Sequence, residues 1–473
     1  KERAPIGRAN KAVGLMNCRN VRLDGFTILQ AGHFGIIAHG CTNMQIERVV
    51  IDTDRDGIDI DACRDVRVVN CTVNAPKDDA IVLKSSFALG RAVPCEDILI
   101  SGCKTSGYAM GSLLDGSYRP SDYAAPDKLG PLGRIKLGTE TNGGFRNVRI
   151  SDCICTNTRG ILMGIVDGGT LEDVSVSGII LRDPVNHPLF VHHGARMRAP
   201  RGTPIGRIRG VQFEDVTVSG AHPRFPCGVE GIADAPVEDV TFRNIHITAQ
   251  GGGTREDAAR VPEYRRETSL EVSYLGTLPA AGFYARHARR LTIRDVSLRT
   301  AAADARPVVA LRNVDGAIVD RVASAIPRDA VAITGMGAVS SLGGDCARGA
   351  PGSGPAPLFV CPGSARFAGR RGWRVNPDLG GDHAAGRSVA DPAGAQGGAG
   401  GDGRPLALHL RLRRAGRGRP HLGHQGAALR DQEPHAARGD PARDAGADHR
   451  RAREARGHRH LRGQAPAGDQ HRR

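Results

Sequence analysis

The chain has 473 residues, 40% hydrophobic but only 4% aromatic, and carries a formal net charge of +15. Such a charge would suit a protein that binds nucleic acid or another polyanion, but its distribution argues against this for most of the chain. Residues 331–473 hold 23 Arg, 12 acidic residues and no Lys, which leaves residues 1–330 at only +4.

The sequence opens Lys1-Glu-Arg-Ala without a methionine. An N-terminal portion is therefore expected to be missing, with any export signal and any cap over the first coil. No transmembrane stretch is visible. From Asn20 onward short segments recur. Asn20-Val21-Arg22-Leu23-Asp24-Gly25-Phe26-Thr27-Ile28 follows the pattern Asn/Asp-Φ-x-Φ-x-x-Φ-x-Φ, where Φ is apolar. Similar segments start at Met44, Val66, Ile98, Val148, Val174, Val211, Val240, Leu291 and Ala317. The first two gaps are 23 and 22 residues. Longer gaps imply loop insertions, notably within 99–147 and 249–290, or a poorly marked coil.

Each unit alternates apolar and polar residues in two short bursts separated by Asn, Asp or Gly, which predicts strands. A single coil of this size cannot bury its own apolar face, so the units must stack. The leucine-rich-repeat signature is absent. The predicted fold is all-β, a right-handed single-stranded parallel β-helix over residues 1–330. Cys18, Cys41, Cys63 and Cys95 each lie three residues before a repeat start, and Cys71, Cys103 and Cys153 five after one. They are expected to stack as small buried apolar side chains. The eleven cysteines are an odd number and form no Cys-x-x-Cys pair.

Residues 331–473 lose the repeat and are crowded with Gly, Ala, Pro, Arg and His. They are expected to be a low-complexity, disordered tail, too poor in apolar residues to offset ordering entropy. They resemble GC-rich coding sequence read out of frame.

The chemistry concentrates in two runs. Asp56 lies in Asp54-Arg-Asp-Gly-Ile-Asp-Ile-Asp61, and Asp78 and Asp79 in Lys77-Asp-Asp-Ala-Ile-Val-Leu-Lys-Ser85. Asp56 and Asp78 are 22 residues apart, one local repeat. Stacked coils would set them one above the other, roughly 4.8 Å apart, with Asp79 beside them. Clustered carboxylates repel, which raises at least one pKa and leaves a proton to donate. Lys84 on the same strand would neutralise part of the cluster or lie solvated at the surface.

Further candidates are His33, about one coil before Asp56, with Phe34 beside it able to stack on a ligand ring. Glu140 and Asn142 could bond ligand hydroxyls or serve only as turn residues. Tyr108, Tyr118 and Tyr123 could wall a cleft. Asp52-x-Asp54-x-Asp56-Gly57 begins like an EF-hand loop, but its twelfth position is Cys63, not Glu, and no helices flank it. His192-His193 has no third ligand to make a metal site.

Asp-Gly-Ile-Asp-Ile-Asp followed by Asp-Asp-x-Ile-x-Leu-Lys-Ser resembles glycoside hydrolase family 28, the polygalacturonases. Gly138-Thr-Glu-Thr-Asn-Gly-Gly-Phe-Arg-Asn-Val148 is similar to that family's Gly-Ser-Glu segment. The resemblance covers roughly residues 10–325. It implies a β-helix that hydrolyses pectin with inversion and without a cofactor or metal. Asp79 would be the general acid, with Asp56 and Asp78 activating water across an acid–base separation of about 6.5–9.5 Å. It further implies secretion or a periplasmic location, a pectic polysaccharide as the partner, no nucleic-acid or membrane partner, and a monomer.

Two departures stand out. The family histidine that tunes the general acid would fall near Leu132, and no histidine lies between Asp79 and Glu140. The family's Arg-Ile-Lys tripeptide is present as Arg134-Ile135-Lys136, one coil earlier than expected. Arg134 and Lys136 form either a relocated cationic site or a solvated strand face. The altered position puts strict galacturonate preference in question and makes rhamnogalacturonan a candidate. A calcium-dependent β-helix lyase and a noncatalytic carbohydrate-binding β-helix are the other classes open to this sequence.

Overall fold

The computed structural model describes residues 10–123, 130–324, 331–334 and 339–342. These residues form 26 strands joined by parallel pairing into one continuous coil. The turns repeat in three strand positions, so the coil has three faces. The first face runs through Lys11–Met16, Phe34–His39, Asp56–Asp61, Ile81–Ser85, Ile135–Thr141, Ile161–Ile165 and Leu189–His193. The second includes Arg19–Asp24, Thr42–Glu47 and Arg64–Val69, and the third Thr27–Leu29, Val50–Asp52 and Thr72–Asn74.

The repeat starts read from the sequence share one rung of the second face. Val21, Met44, Val66, Ile98, Val148, Val174, Val211, Val240 and Leu291 are each the direct partner of the next. Ala317 continues the column, since Thr292 pairs with Ile318. No coil is skipped, so every longer gap is a loop insertion.

The residue before each start explains the Asn/Asp of the motif. Asn20, Asn43, Asp65, Asp97, Asn147, Asp173 and Asp239 all have φ between 53° and 58°. That corner is left-handed, and short polar side chains tolerate it far better than β-branched ones. Stacked corners also bond to each other, as where the Asn43 amide donates to Asn20 Oδ1 at 2.7 Å. The apolar positions turn inward and form one core from Val21 to Val322.

The cysteine columns lie where expected. Cys41, Cys63, Cys71, Cys95, Cys103 and Cys153 are buried free thiols, and Cys18 is half-buried. Cys41 N–H donates to Cys63 Sγ at 3.2 Å, across one coil step.

One insertion returns to cover the first face. Between Val237–Ala249 and Phe283–Thr300 the chain leaves the coil, forms the short helix Arg255–Ala259, and comes back. On the way it packs Leu270, Val272, Leu275 and Leu278 against Leu162, Val166, Phe190 and Tyr284. This second apolar cluster lies on the outer side of the first face.

The regular ladder also runs past residue 330, where the sequence pattern ends. Val331–Thr334 pairs with Val309–Asp315, and Val339–Leu342 with Ala317–Ser324. The rest of the Arg-rich segment, and the disorder expected for it, lie outside the described residues.

A core built of stacked inward residues makes each of them costly to truncate. Ile150→Ala, at a fully buried position, is expected to lose about 2–5 kcal/mol. Arg149→Ala, on the exposed side of the same strand, should stay within about 0.5 kcal/mol. Urea midpoints of the two variants check this.

Candidate active site

The carboxylates meet on the first face, at the start of Asp56–Asp61 and in the turn before Ile81–Ser85. Ile58 pairs with Ile81, an offset of 23 residues. Gly57 N–H donates to Asp79 O at 3.0 Å and Ile58 N–H to Ala80 O at 2.9 Å. The expected stacking of Asp78 on Asp56 is thus corrected by one residue: Asp79 sits over Asp56. The turn before Ala80 takes one residue more than the preceding coil, where Phe34 pairs with Asp56 at an offset of 22. Gly57 is required at this junction. A Cβ there would lie 2.2 Å from Val73 Cγ1 and 2.5 Å from Ala80 O, far inside contact distance.

Asp78 is displaced to the outer edge of the turn. Its side chain is 22% exposed, against 4% for Asp56 and Asp79. One carboxylate oxygen each from Asp56 and Asp78 and a ring nitrogen of His33 lie within 4.8 Å of one another. His33 Nε2 is 3.5 Å from Asp56 Oδ2, and its ring stacks on Phe34 at 4.3 Å. The three groups could together hold a cation by distance. Two side-chain cations already serve them, however: Arg55 Nη2 at 2.6 Å from Asp78 and Lys84 Nζ at 3.8 Å from Asp56.

The two adjacent aspartates are driven in opposite directions. Burial, and then the charges of Asp56 and Asp79, push the Asp78 carboxyl up to about 6, against the pull of Arg55. Burial would also raise Asp79, but Arg134 and Lys136 outweigh it and hold that carboxyl at about 2. Arg134 Nε donates to Asp79 Oδ1 at 2.6 Å, and Lys136 Nζ is 3.2 Å from Oδ2. The expectation that Asp79 is the general acid thus meets a pair in which Asp79 is held ionised and Asp78 is pushed toward its protonated form. Cations beside a carboxylate favour its ionised form, whereas burial beside like charges favours the protonated one.

Arg134 and Lys136 are therefore not a solvated strand face. Ile135 pairs directly with Ile81, so both cations sit on the next rung beyond Asp79. The following coil carries Ile161–Ile165, buried throughout.

The other candidates divide. Lys84 pairs with Asp59, which burial and then the charge of Asp56 raise well above the usual carboxylate range. Asp59 was overlooked in the sequence, although alternation with Ile58 and Ile60 puts it on the outward side with the cluster. Glu140 remains 40% exposed, with Arg196 Nη2 3.8 Å away. The Asn142 amide donates to Arg198 O at 3.0 Å, which tethers the side chain to that segment. Asp52 likewise accepts from Asn74 and from Leu114 N–H, and Asp54 pairs with Lys77 at 3.4 Å. Tyr108 and Tyr118 meet edge to face at 5.5 Å, and Lys77 lies over the Tyr123 ring. His192 faces Glu230 at 3.2 Å, whereas His193 bonds Ala235 O at 2.8 Å; the two rings do not converge on one point.

One site residue had no sequence signal at all. Glu271, from the insertion after Ala249, accepts from Arg134 Nη2 at 3.1 Å and lies 3.6 Å from Arg159 Nη1. It is 137 residues from Arg134 in the chain, and no local motif surrounds it.

Comparison with known proteins agrees with this architecture. A family model described as a right handed beta helix region matches residues 6–91. A probable polygalacturonase of Vitis vinifera is 22% identical over 256 residues, which are 50% of this chain and 46% of the relative. The chain thus spans about half the length of the curated relative it matches. It is a right-handed parallel β-helix protein. Within that class it is polygalacturonase-like.

The Asp78 shift has a consequence for stability. A carboxyl raised from 3.8 to about 6 on folding is neutral in both states at low pH and is forced to ionise at high pH. Stability is therefore lost as pH rises from about 4 through about 6. Asp78→Asn is expected to remove this loss. It should be about 1–3 kcal/mol more stable than the parent protein at pH 7 and nearly equal to it at pH 3.5. Urea denaturation at the two pH values reads the difference.

Proposed function

We propose that this protein hydrolyses a glycosidic bond in pectic polysaccharide, with Asp78 as general acid. The observation that carries this reading is a solvent-reaching carboxyl, held protonated to about 6, whose oxygen lies within 4.8 Å of an Asp56 oxygen. A glycosidase needs one protonated and one ionised carboxyl flanking the scissile bond. The likeness to a probable polygalacturonase supports the substrate class. On this reading the protein is exported, acts as a monomer and needs no cofactor.

In the reaction Asp78 gives its proton to the glycosidic oxygen as the bond to the anomeric carbon breaks. Asp56 takes a proton from the water that supplies the new bond to that carbon. Asp79, fixed between Arg134 and Lys136, contributes the negative charge that helps keep Asp78 protonated. His33 and Lys84 hold the Asp56 carboxylate in position.

Inversion is the proposed outcome, on the family resemblance. The Asp56–Asp78 approach within 4.8 Å favours a second reading, because inverting pairs usually stand about 6.5–9.5 Å apart and retaining pairs about 5–5.5 Å. Proton NMR of the first turnovers decides this: an inverted anomer is expected, and a retained one would make Asp56 a nucleophile.

The main test is reducing-sugar release from polygalacturonate and rhamnogalacturonan with EDTA present. Asp78→Asn should lower kcat by about 10²–10⁴-fold. Loss of activity to the chelator, with an unsaturated product absorbing in the ultraviolet, would identify a lyase instead. Binding without turnover would identify a noncatalytic β-helix.

The pH profile gives a separate check. Since Asp78 must be protonated, kcat/KM is expected to fall above about 6. Arg55 lowers the Asp78 pKa, so Arg55→Gln should move that alkaline limb to higher pH. An unmoved limb would assign it to another group.

A further inference from the structure

The cations that a uronate substrate would need are already taken. Arg134 presents Nε to Asp79 and Nη2 to Glu271. Lys136 is paired with Asp79, and Arg159 with Glu271. The side chains of Arg134 and Lys136 are 3% and 8% exposed, whereas that of Glu271 is 32% exposed. A sugar arriving at this rim meets a carboxylate before it meets a guanidinium.

Glu271 is built into this position. Its neighbours Leu270 and Val272 are both buried in the second apolar cluster. Leu270 is seated against two glycines of the first face. A Cβ at Gly138 would lie 2.4 Å from Leu270 Cδ2, and one at Gly164 would lie 2.7 Å from its Cδ1. Glu271 N–H also donates to Ser269 O at 2.7 Å. With both flanks anchored, the backbone at Glu271 keeps its side chain within reach of Arg134.

We propose that Glu271 is a specificity residue which neutralises Arg134 and makes the site select an uncharged sugar residue over a uronate at this position. The proposal rests on the hydrolase reading and narrows its substrate class. A uronate carboxylate would have to displace Glu271 or lie beside it, and like charges in close juxtaposition are costly. A hydroxymethyl, methyl or esterified group in the same place carries no such cost. Glu140, also exposed on this face, adds to the negative rim.

The probes are an α-1,4-linked oligogalacturonate and the same oligosaccharide with its carboxylates reduced to hydroxymethyl groups. They share every linkage and differ only in charge. The parent protein should show kcat/KM at least about tenfold higher on the reduced form. Glu271→Gln should shift that ratio toward the uronate by on the order of tenfold, and Glu271→Asp, which keeps the charge, should not. A parent preference for the charged form, or an equal ratio in both variants, overturns the inference.

If neither oligosaccharide is cleaved, the hydrolase reading fails for this linkage, and charge selection is read from calorimetric Kd values instead. Tighter binding of the reduced form, relaxed by Glu271→Gln alone, still supports the role of Glu271. Equal binding of both forms, tighter binding of the charged one, or no binding at all overturns it.

Discussion

The site depends on the backbone ladder between two consecutive coils, where Gly57 N–H and Ile58 N–H reach the carbonyls of Asp79 and Ala80. Coils joined in this way stand roughly 4.8 Å apart, so the backbone carries their carboxylates on adjacent rungs. Asp56 and Asp79 are forced into neighbouring rungs, and Asp78 into the turn beside them. Such crowding is unfavourable, and three compensations follow: Arg134 and Lys136 on Asp79, Lys84 between Asp59 and Asp56, and a raised proton affinity at Asp78. The first two use cations of the adjoining rungs. The third leaves a proton where it can be given away.

The division of labour between adjacent aspartates follows from which way each faces. Asp79 faces the next coil and meets two cations that begin the strand there. Asp78 faces outward, where it pairs with the surface Arg55 at 2.6 Å. Residues one peptide apart are thus driven in opposite directions in proton affinity, the kind of separation an acid/base pair uses. The proposal that Asp78 rather than Asp79 is the acid needs no new residue, only the partners that the next coil brings.

The insertion between Ala249 and Phe283 changes the cationic side of the site. Its apolar side chains cover Leu162 and Phe190 on the first face, and Glu271 is carried there because it lies between two of them. Arg134 therefore carries both a carboxylate from its own face and one from a loop more than a hundred residues away. The same guanidinium would be open to a substrate carboxylate if that loop were absent.

The sequence by itself determined the coil. Apolar alternation fixes which residues turn inward, and Asn or Asp at most of the left-handed corners marks where a turn begins, so the repeat starts form one rung from Val21 to Leu291. It also brought Asp56, Asp78, Asp79, Lys84 and His33 into one place, because residues one period apart must be neighbours in a solenoid. Tertiary structure decided what period-counting cannot. A one-residue difference in the turn before Ala80 exchanged Asp78 for Asp79 over Asp56. The Arg198 carbonyl claimed the Asn142 amide, and the Leu270 seat delivered Glu271 to Arg134. These outcomes depend on contacts between segments far apart in the chain, or on the length of a single turn, and neither leaves a periodic trace in the sequence.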